Sequence, residues 1–319
     1  MPKTNFIKIF GAFLLILLIS GLVISQDKDK KKPNQKVRTV TIPISISSKQ
    51  ELKEKQAQEF LEAGDIIVKE DQDEQVILSI RSVSNTPLAL AVLIQDDLTS
   101  NINLQLKDIA DFIRKLPNGS RVMVAYLRGG TIQVRQKFTD DLEKAAKSLR
   151  IVVGNSASAN SPYIGVDEAL QRFDALPLGR RAILLISDGL DTSRGFDLSS
   201  TIQSIDLERA ILKAQRKSVA VYSFYSAGSL MNNSSSTLVL GGQGSLERLS
   251  EETGGRAFFQ GTISPISFQP FFRDLNLALN RQFALTYLST HMKKGYHKVK
   301  VSSTNPEVKI EHPKGYYYR

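Results

Sequence analysis

From residue 88 onward, short apolar runs alternate with segments whose apolar residues recur at helical spacing. The runs predict buried β-strands, and the spaced apolar residues predict helices that bury one face. This alternation is typical of an α/β fold with a doubly wound, mostly parallel sheet. The predicted strands are residues 88–93, 122–127, 132–138, 182–186 and 219–224. The predicted helices lie around residues 106–116, 142–149, 166–173, 207–214, 246–252 and 266–279.

Two glycines indicate one exception to the parallel order. The stretch YLRGGTIQV joins two apolar runs through Gly129 and Gly130. Such a pair favours a tight hairpin, so we expect one antiparallel edge strand. A second glycine-rich stretch, GGQGSLE, follows residues 226–240, which are rich in serine and asparagine. We interpret residues 226–244 as a low-complexity loop whose end leads into a helix.

Both ends of the chain have β character. Residues 40–46 alternate apolar and polar side chains, and Pro43 favours an edge position for this strand. A short helical pattern at 52–61 and two strand patterns at 66–68 and 76–83 follow. Further strand patterns occupy the last part of the chain. We predict that residues 37–83 and 283–319 pack together as one β-sandwich, with residues 84–282 inserted as the α/β domain.

The first residues resemble a secretory leader. Lys3 and Lys8 precede an uncharged stretch, residues 9–24, and Ser25 offers a small residue at the exit. The stretch is shorter than the roughly 20 residues of a spanning helix. We therefore predict a signal peptide at 1–25, a charged linker at 26–36, and a secreted or periplasmic protein. The lysines of the linker also suit an uncleaved anchor, which is the one alternative that places the chain at a membrane.

Composition excludes several classes of function. The chain has no cysteine, so disulfides, thiol nucleophiles and cysteine metal sites are unavailable. Seven lysines and two aspartates place half of the net charge of +10 within residues 1–36, which argues against a basic nucleic-acid-binding face. The three histidines, all in the C-terminal β segment, lack the spacing of a helical metal motif. We predict surface or packing roles for them. No nucleophile elbow or credible triad is present, so we predict a protein that is not an enzyme.

Oxygen-bearing side chains follow several of the predicted strands. They lie in the segments QDDLTSN, GNSASANSPYIG and ISDGLDTS. Because ligands of such sheets bind at the carboxyl ends of the strands, we expect these segments to meet there. Carboxylate and hydroxyl oxygens suit a hard cation such as Mg²⁺. The donors are Asp96, Asp97, Thr99, Ser100, Ser161, Asp188 and Asp191.

The order of these motifs resembles a von Willebrand factor type A domain, a Rossmann-like fold. The motif that follows the first strand is similar to D-x-S-x-S, LLISDGLDTS is similar to the family's Asp-Gly corner, and EETGGRAFF follows later. The flanking segments resemble the acidobacterial-type, secreted VWFA-related family, whose terminal KGY signature is similar to Lys314-Gly315-Tyr316. The resemblance implies a metal-ion-dependent adhesion site that binds Mg²⁺.

The family's ligands map onto this chain with two departures. Asp97 is preferred as the first aspartate of the motif. If Asp96 took that position, Leu98, which has no oxygen ligand in its side chain, would stand at the next ligand position. With Asp97 first, Asn101 stands where the family has serine, and the expected threonine falls near Ile164. The implied metal ligands are Asp97, Thr99, Asn101, Ser161 and Asp188, and the implied partner-binding rim contains Asp96, Ser100, Tyr163 and Asp191.

Two functions remain open at this point. The preferred one is a protein-binding or adhesion module whose partner completes the Mg²⁺ shell with an acidic side chain. Its contact surface would be formed by residues 95–103, 156–164, 187–193 and 226–244. The alternative is a metal-free structural or assembly component of the cell envelope. In that case Asp97 or Thr99 caps a helix and Asp188 with Gly189 turns the chain.

Overall fold

The computed structural model describes residues 36–48, 66–83, 86–154, 160–177, 179–193, 204–228, 236–261 and 265–318. The predicted leader, nearly all of the linker and the helical pattern at 52–61 lie outside these residues. Val37–Arg319 forms one compact unit. Among the described residues, no helix combines the length and apolarity needed to cross a bilayer.

The described elements follow the predicted alternation closely from residue 88 onward, and an α/β fold is confirmed. The strands are β1 Arg38–Ser48, β2 Ile66–Glu70, β3 Asp73–Ser82, β4 Leu88–Gln95, β5 Arg121–Arg128, β6 Thr131–Thr139, β7 Arg180–Ser187, β8 Ala220–Tyr225, β9 Ala257–Phe258, β10 Gln282–Ser289, β11 Gly295–Ser303, β12 Val308–Glu311 and β13 Gly315–Tyr318. The α-helices are α1 Leu106–Arg114, α2 Leu142–Lys147, α3 Pro162–Gln171, α4 Ile205–Lys217, α5 Ser236–Thr253 and α6 Gln269–Asn280. Two 3₁₀ helices cover Ser100–Gln105 and Arg172–Ala175.

Six strands form one sheet in the order β6-β5-β4-β7-β8-β9. All neighbours in it are parallel except β5 and β6, which pair antiparallel through the predicted hairpin. The continuous apolar run of β4 divides between the two faces. Val92 and Ile94 pack in the core that includes α1 and α6, whereas Ala91 and Leu93 pack in the core that includes α3, α4 and α5. Both faces are therefore covered, which explains why the strand has no polar side.

The terminal segments pair in a second sheet of seven strands, in the order β12-β1-β10-β3-β2-β11-β13. β10 lies between β1 and β3, so strands from the two ends of the chain alternate. The sequence predicts a sandwich of two sheets, whereas the pairing runs as one continuous ladder. Arg38 of β1 nevertheless contacts Glu70 of β2 and Tyr316 of β13. The ladder thus folds back around a shared apolar core.

One predicted loop is partly wrong. Helix α5 begins at Ser236, inside the segment 226–244 that the sequence predicts as a loop. Gly242 lies within this helix, and a Cβ at that position would overlap the carbonyl oxygen of Asp188. The glycines let the helix approach the turn that follows β7, so here they mark close packing and not a linker.

Candidate metal centre

Strand order reverses between β4 and β7, and the loops that follow these two strands lie at the same edge of the sheet. The β4 loop carries Asp96 and Asp97, and the β7 loop carries Asp188. A crevice forms at such a reversal because the connections leave toward opposite faces. This is the position at which the oxygen-rich segments are expected to meet.

The adjacent aspartates of the β4 loop point to different neighbours. Asp96 is buried and accepts from both terminal nitrogens of Arg150, at 2.7 and 3.0 Å, and from the Val153 N–H at 3.2 Å. The Arg150 guanidinium also lies 4.0 Å from the centre of the Tyr126 ring. The prediction that Asp96 belongs to a contact rim is therefore wrong, because its carboxylate is held inside the protein by an ion pair.

Asp97 turns toward the other loops of this edge. Nδ2 of Asn160, just before helix α3, donates to both of its carboxylate oxygens at 3.2 and 3.3 Å. Asn160 is itself fixed, because its backbone N–H donates to Oγ1 of Thr192 at 2.9 Å and its backbone oxygen accepts from the Thr192 N–H at 2.7 Å. These bonds join the β4, α3 and β7 loops.

Asp188 is a buried carboxylate with a strongly shifted pKa. Burial, and next the charge of Asp97, raise the pKa of Asp188 to about 7. Its Oδ1 accepts the Leu190 N–H at 3.0 Å, so the residue also shapes the turn. A Cβ at Gly228 would overlap its Oδ2, which places the backbone after β8 directly against the carboxylate. Within the described part of the chain, neither Asp97 nor Asp188 forms an ion pair with a basic side chain.

Two hydroxyls of this region have no hydrogen-bond partner. Thr99 and Ser161 occupy the N-cap positions of the first 3₁₀ helix and of α3, yet neither side chain makes a capping hydrogen bond. Oγ1 of Thr99 and Oγ of Ser161 are buried and unpartnered among the described residues. Buried polar groups without a partner are uncommon, and a bound ion is one physical explanation for them. Helix capping therefore does not explain why the hydroxyl of Thr99 is buried at this position.

The other predicted site residues lie apart from this group or serve other contacts. Ser100 and Asn101 are exposed. Tyr163 is fully buried and donates its hydroxyl to the Gly189 oxygen at 2.6 Å, so the prediction that it lies on the rim is wrong. Asp191 is half-buried and accepts from the hydroxyls of Ser193 and Ser204. Residues 155–159 of the second predicted loop lie outside the described residues.

The sequence analysis included Asn160 and Gly228 only within broad loop ranges and assigned neither residue a role. No motif pointed to Asn160, whose role depends on a contact between loops that are far apart in sequence. The pair Ser161-Pro162 did carry a signal, since serine at the N-cap and proline at the first helical position mark a helix start. That signal places Ser161 at the tip of α3, three residues before the position near Ile164 where the family threonine is expected.

The residues that this edge brings together suit a hard cation. Two buried carboxylates without a basic partner would be neutralised by a divalent ion, and the unpartnered hydroxyls are oxygen donors. Mg²⁺ prefers such oxygens and keeps several waters. Asp97, Thr99, Ser161 and Asp188 therefore fit the ion chemically, whereas the exposed Asn101 is not drawn into the group.

Comparison with known proteins finds only distant similarity. No family model matches the chain, and no curated protein matches it. A solved structure described as the conserved hypothetical protein BatB from Bacteroides thetaiotaomicron is 15% identical, covering 43% of this chain and 66% of that chain, with a TM-score of 0.34. This chain thus spans less than two thirds of BatB.

Two further solved structures are described by the von Willebrand name. The von Willebrand factor type A protein from Catenulispora acidiphila is 9% identical, covering 82% of this chain and 75% of that chain, with a TM-score of 0.39. The vWF domain of the type V pili tip protein Mfa5 from Porphyromonas gingivalis is 11% identical, covering 61% and 95%, with a TM-score of 0.41. Similarity at this level does not identify a family or a function.

Proposed function

We propose that this chain is a non-enzymatic protein-binding module of the von Willebrand A type, with its doubly wound sheet presenting a Mg²⁺ site at the carboxyl edge. Asp97, Thr99, Ser161 and Asp188 hold the ion, directly or through water. The leader pattern of residues 1–25 supports a secreted or periplasmic location. The finer membership in the acidobacterial-type family is part of the same proposal and rests on the motifs in the sequence.

The single observation that carries the proposal is that the hydroxyls of Thr99 and Ser161 are buried and unpartnered in the loops that also carry or contact two buried aspartates, Asp97 and Asp188. A site kept only for turns and caps would use these hydroxyls as caps, because an unsatisfied buried donor costs about 1–3 kcal/mol. The hydroxyl oxygens of Thr99 and Ser161 are already removed from water. They therefore need little rearrangement to coordinate an ion.

A bound Mg²⁺ supplies a positive coordination position for an acidic side chain of the partner protein. The protein's own part is to hold its oxygens in place. Asn160 fixes the Asp97 carboxylate, and the Leu190 N–H fixes Oδ1 of Asp188. The exposed Ser100 and Asn101 would line the approach of the partner.

One observation favours the alternative of a metal-free structural component. The Asn160 amide already donates to both oxygens of Asp97, which partly satisfies this carboxylate without an ion. In that case the edge is stabilised by hydrogen bonds alone. The two functions differ in a property that is simple to measure, namely whether Mg²⁺ stabilises the folded protein.

The test is thermal unfolding of the full chain with and without millimolar Mg²⁺. An ion that binds only the folded state raises the unfolding midpoint. We expect this rise in the wild type and in the matched control Asp140→Asn, which removes an exposed carboxylate elsewhere. The double variant Thr99→Val/Ser161→Ala should fold but lose most of the rise. An equal rise in the double variant, or none in the wild type, would contradict the proposed site.

A further inference from the structure

A second group of metal-binding side chains lies in the seven-stranded sheet, away from the Mg²⁺ centre. Asp71 lies in the two-residue turn between β2 and β3, His291 follows β10, and His297 lies in β11. One donor atom from each falls within 4.8 Å of the others. Oδ2 of Asp71 is 2.8 Å from Nδ1 of His297 and 3.9 Å from Nδ1 of His291.

The hydrogen bonds of His297 determine which of its ring nitrogens carries a proton. Nε2 is 2.6 Å from the backbone oxygen of Lys293, which can only accept, so Nε2 carries the proton. Nδ1 then faces the Asp71 carboxylate at 2.8 Å and Oε1 of Glu70 at 3.3 Å. A neutral ring would direct a lone pair at two anionic oxygens. Nδ1 therefore lies where a cation would be held by the ring nitrogen and by two carboxylate oxygens together.

This arrangement is the one that metal-binding histidines adopt. Such a histidine donates its other ring N–H to a carbonyl or carboxylate, which sets the tautomer and the ring orientation. The backbone oxygen of Lys293 plays that part for His297. His297 is also almost fully buried, so its orientation is held by packing.

His291 adds an independent indication. Its Nε2 is buried without a hydrogen-bond partner among the described residues, 3.3 Å from Oδ2 of Asp73. His312, the remaining histidine, is different in this respect. The Val301 N–H donates to its Nε2 at 3.1 Å and its Nδ1 bonds the Pro313 oxygen at 2.9 Å, so the ring is satisfied. Of His291 and His312, only His291, which belongs to the cluster, has a buried ring nitrogen without a hydrogen-bond partner among the described residues.

The charges in contact with the cluster also call for a cation. Glu70, Asp71 and Asp73 contribute three carboxylates, and Arg38, 3.3 Å from Glu70, contributes one guanidinium. Glu70 is fully buried and also accepts from the hydroxyls of Tyr316 and Ser289 at 2.6 and 2.9 Å. Three carboxylates against one guanidinium leave an excess of two negative charges. A divalent ion balances them.

We propose that Asp71, His291 and His297 bind a zinc ion that ties the N-terminal β segment to the C-terminal one. Two imidazole nitrogens with one carboxylate suit a borderline-soft ion such as Zn²⁺ better than Mg²⁺ or Ca²⁺. In tetrahedral zinc sites with bonds of 2.0–2.1 Å, ligand atoms are about 3.3 Å apart. The observed 2.8 and 3.9 Å bracket that separation. Water would take the fourth position, because Asp73 faces Nε2 of His291 and not the ligating Nδ1.

The test is calorimetric titration of the metal-free full chain with Zn²⁺ near neutral pH. It uses the Asp97→Asn/Asp188→Asn background, so that the Mg²⁺ centre cannot take up the metal. We expect one Zn²⁺ per chain and a zinc-dependent rise in the unfolding midpoint. His291→Ala, which removes a side chain that is 24% exposed, should fold and bind zinc at least about 10-fold more weakly.

The matched control is His312→Gln, which removes a histidine of the same segment outside the cluster. It should keep the stoichiometry and affinity of the parent. Absence of zinc binding in the parent would overturn the proposal. Equal affinity in His291→Ala and the parent would overturn it too. Because the background lacks both site aspartates, failure here is separate from failure of the Mg²⁺ centre.

Discussion

Replacing Asp188 with Asn should stabilise the metal-free protein above neutral pH. The carboxylate is 4% exposed, and burial together with the charge of Asp97 raises its pKa from 3.8 to about 7. The folded protein therefore binds this proton more tightly than the unfolded chain does. Stability is lost as the pH rises from about 4 to about 7, because ionisation must then occur in the buried site.

The size of the effect follows from the shift. A difference of about three pKa units at about 1.4 kcal/mol each gives about 4 kcal/mol of destabilisation once Asp188 is ionised. Asparagine removes this charge and keeps an oxygen for the Leu190 N–H. We therefore expect the stability gain of the variant over the wild type to grow between about pH 4 and about pH 7 and to level off near that value above pH 7.

The assay is urea unfolding in a chelator at several pH values, followed by repetition in saturating Mg²⁺. The ion should restore the wild type and leave Asp188→Asn unchanged, because only the wild type offers the charged ligand. Asp140→Asn controls for removal of one exposed charge. A stability difference that does not change with pH, or a variant less stable than the wild type at pH 8, would refute the reasoning.

Two further variants test the neighbours of the site. Gly228→Ala should abolish the Mg²⁺-dependent rise in the unfolding midpoint and cost about 1–3 kcal/mol in urea, because the new Cβ overlaps Oδ2 of Asp188. An unchanged Mg²⁺ response would contradict the close approach of this backbone. Arg150→Met should cost about 1–3 kcal/mol, since it removes the hydrogen-bonded partner of the buried Asp96 and leaves only the longer contact with Arg128 at 3.8 Å, while the Mg²⁺ response persists. A cost near zero would show that Asp96 does not depend on that pair.

The periodicity of the sequence predicted five strands of the six-stranded sheet and the helices that cover it, but not the two-residue strand β9. The run at 88–93 and the spacing of Leu106, Ile109 and Ile113 reflect which side chains leave water, and this choice repeats with the period of the local structure. Asp97 and Asp188 could be placed at the sheet edge for the same reason. Each lies within two residues of the end of a strand, and parallel strands end together.

Other features depended on contacts between segments distant in the chain. Asp96 and Asp97 are adjacent and chemically identical, and only packing sends one to Arg150 and the other to Asn160. The sequence predicts a loop at Gly242, whereas the structure places this residue in a helix that packs against Asp188. Local patterns cannot encode such distinctions, because they arise when separate elements compete for the same space.

The terminal segments also combine features that the local pattern predicts with features that only tertiary contacts decide. Their alternation predicted strands, yet the order in which those strands pair, with β10 between β1 and β3, is a property of the closed sheet. The histidines lacked any metal-binding spacing in the sequence. Asp71 and His291, separated by 220 positions, come together only through that pairing. Periodicity determines which face of each element is buried, whereas the closure of the sheet determines which side chains become neighbours.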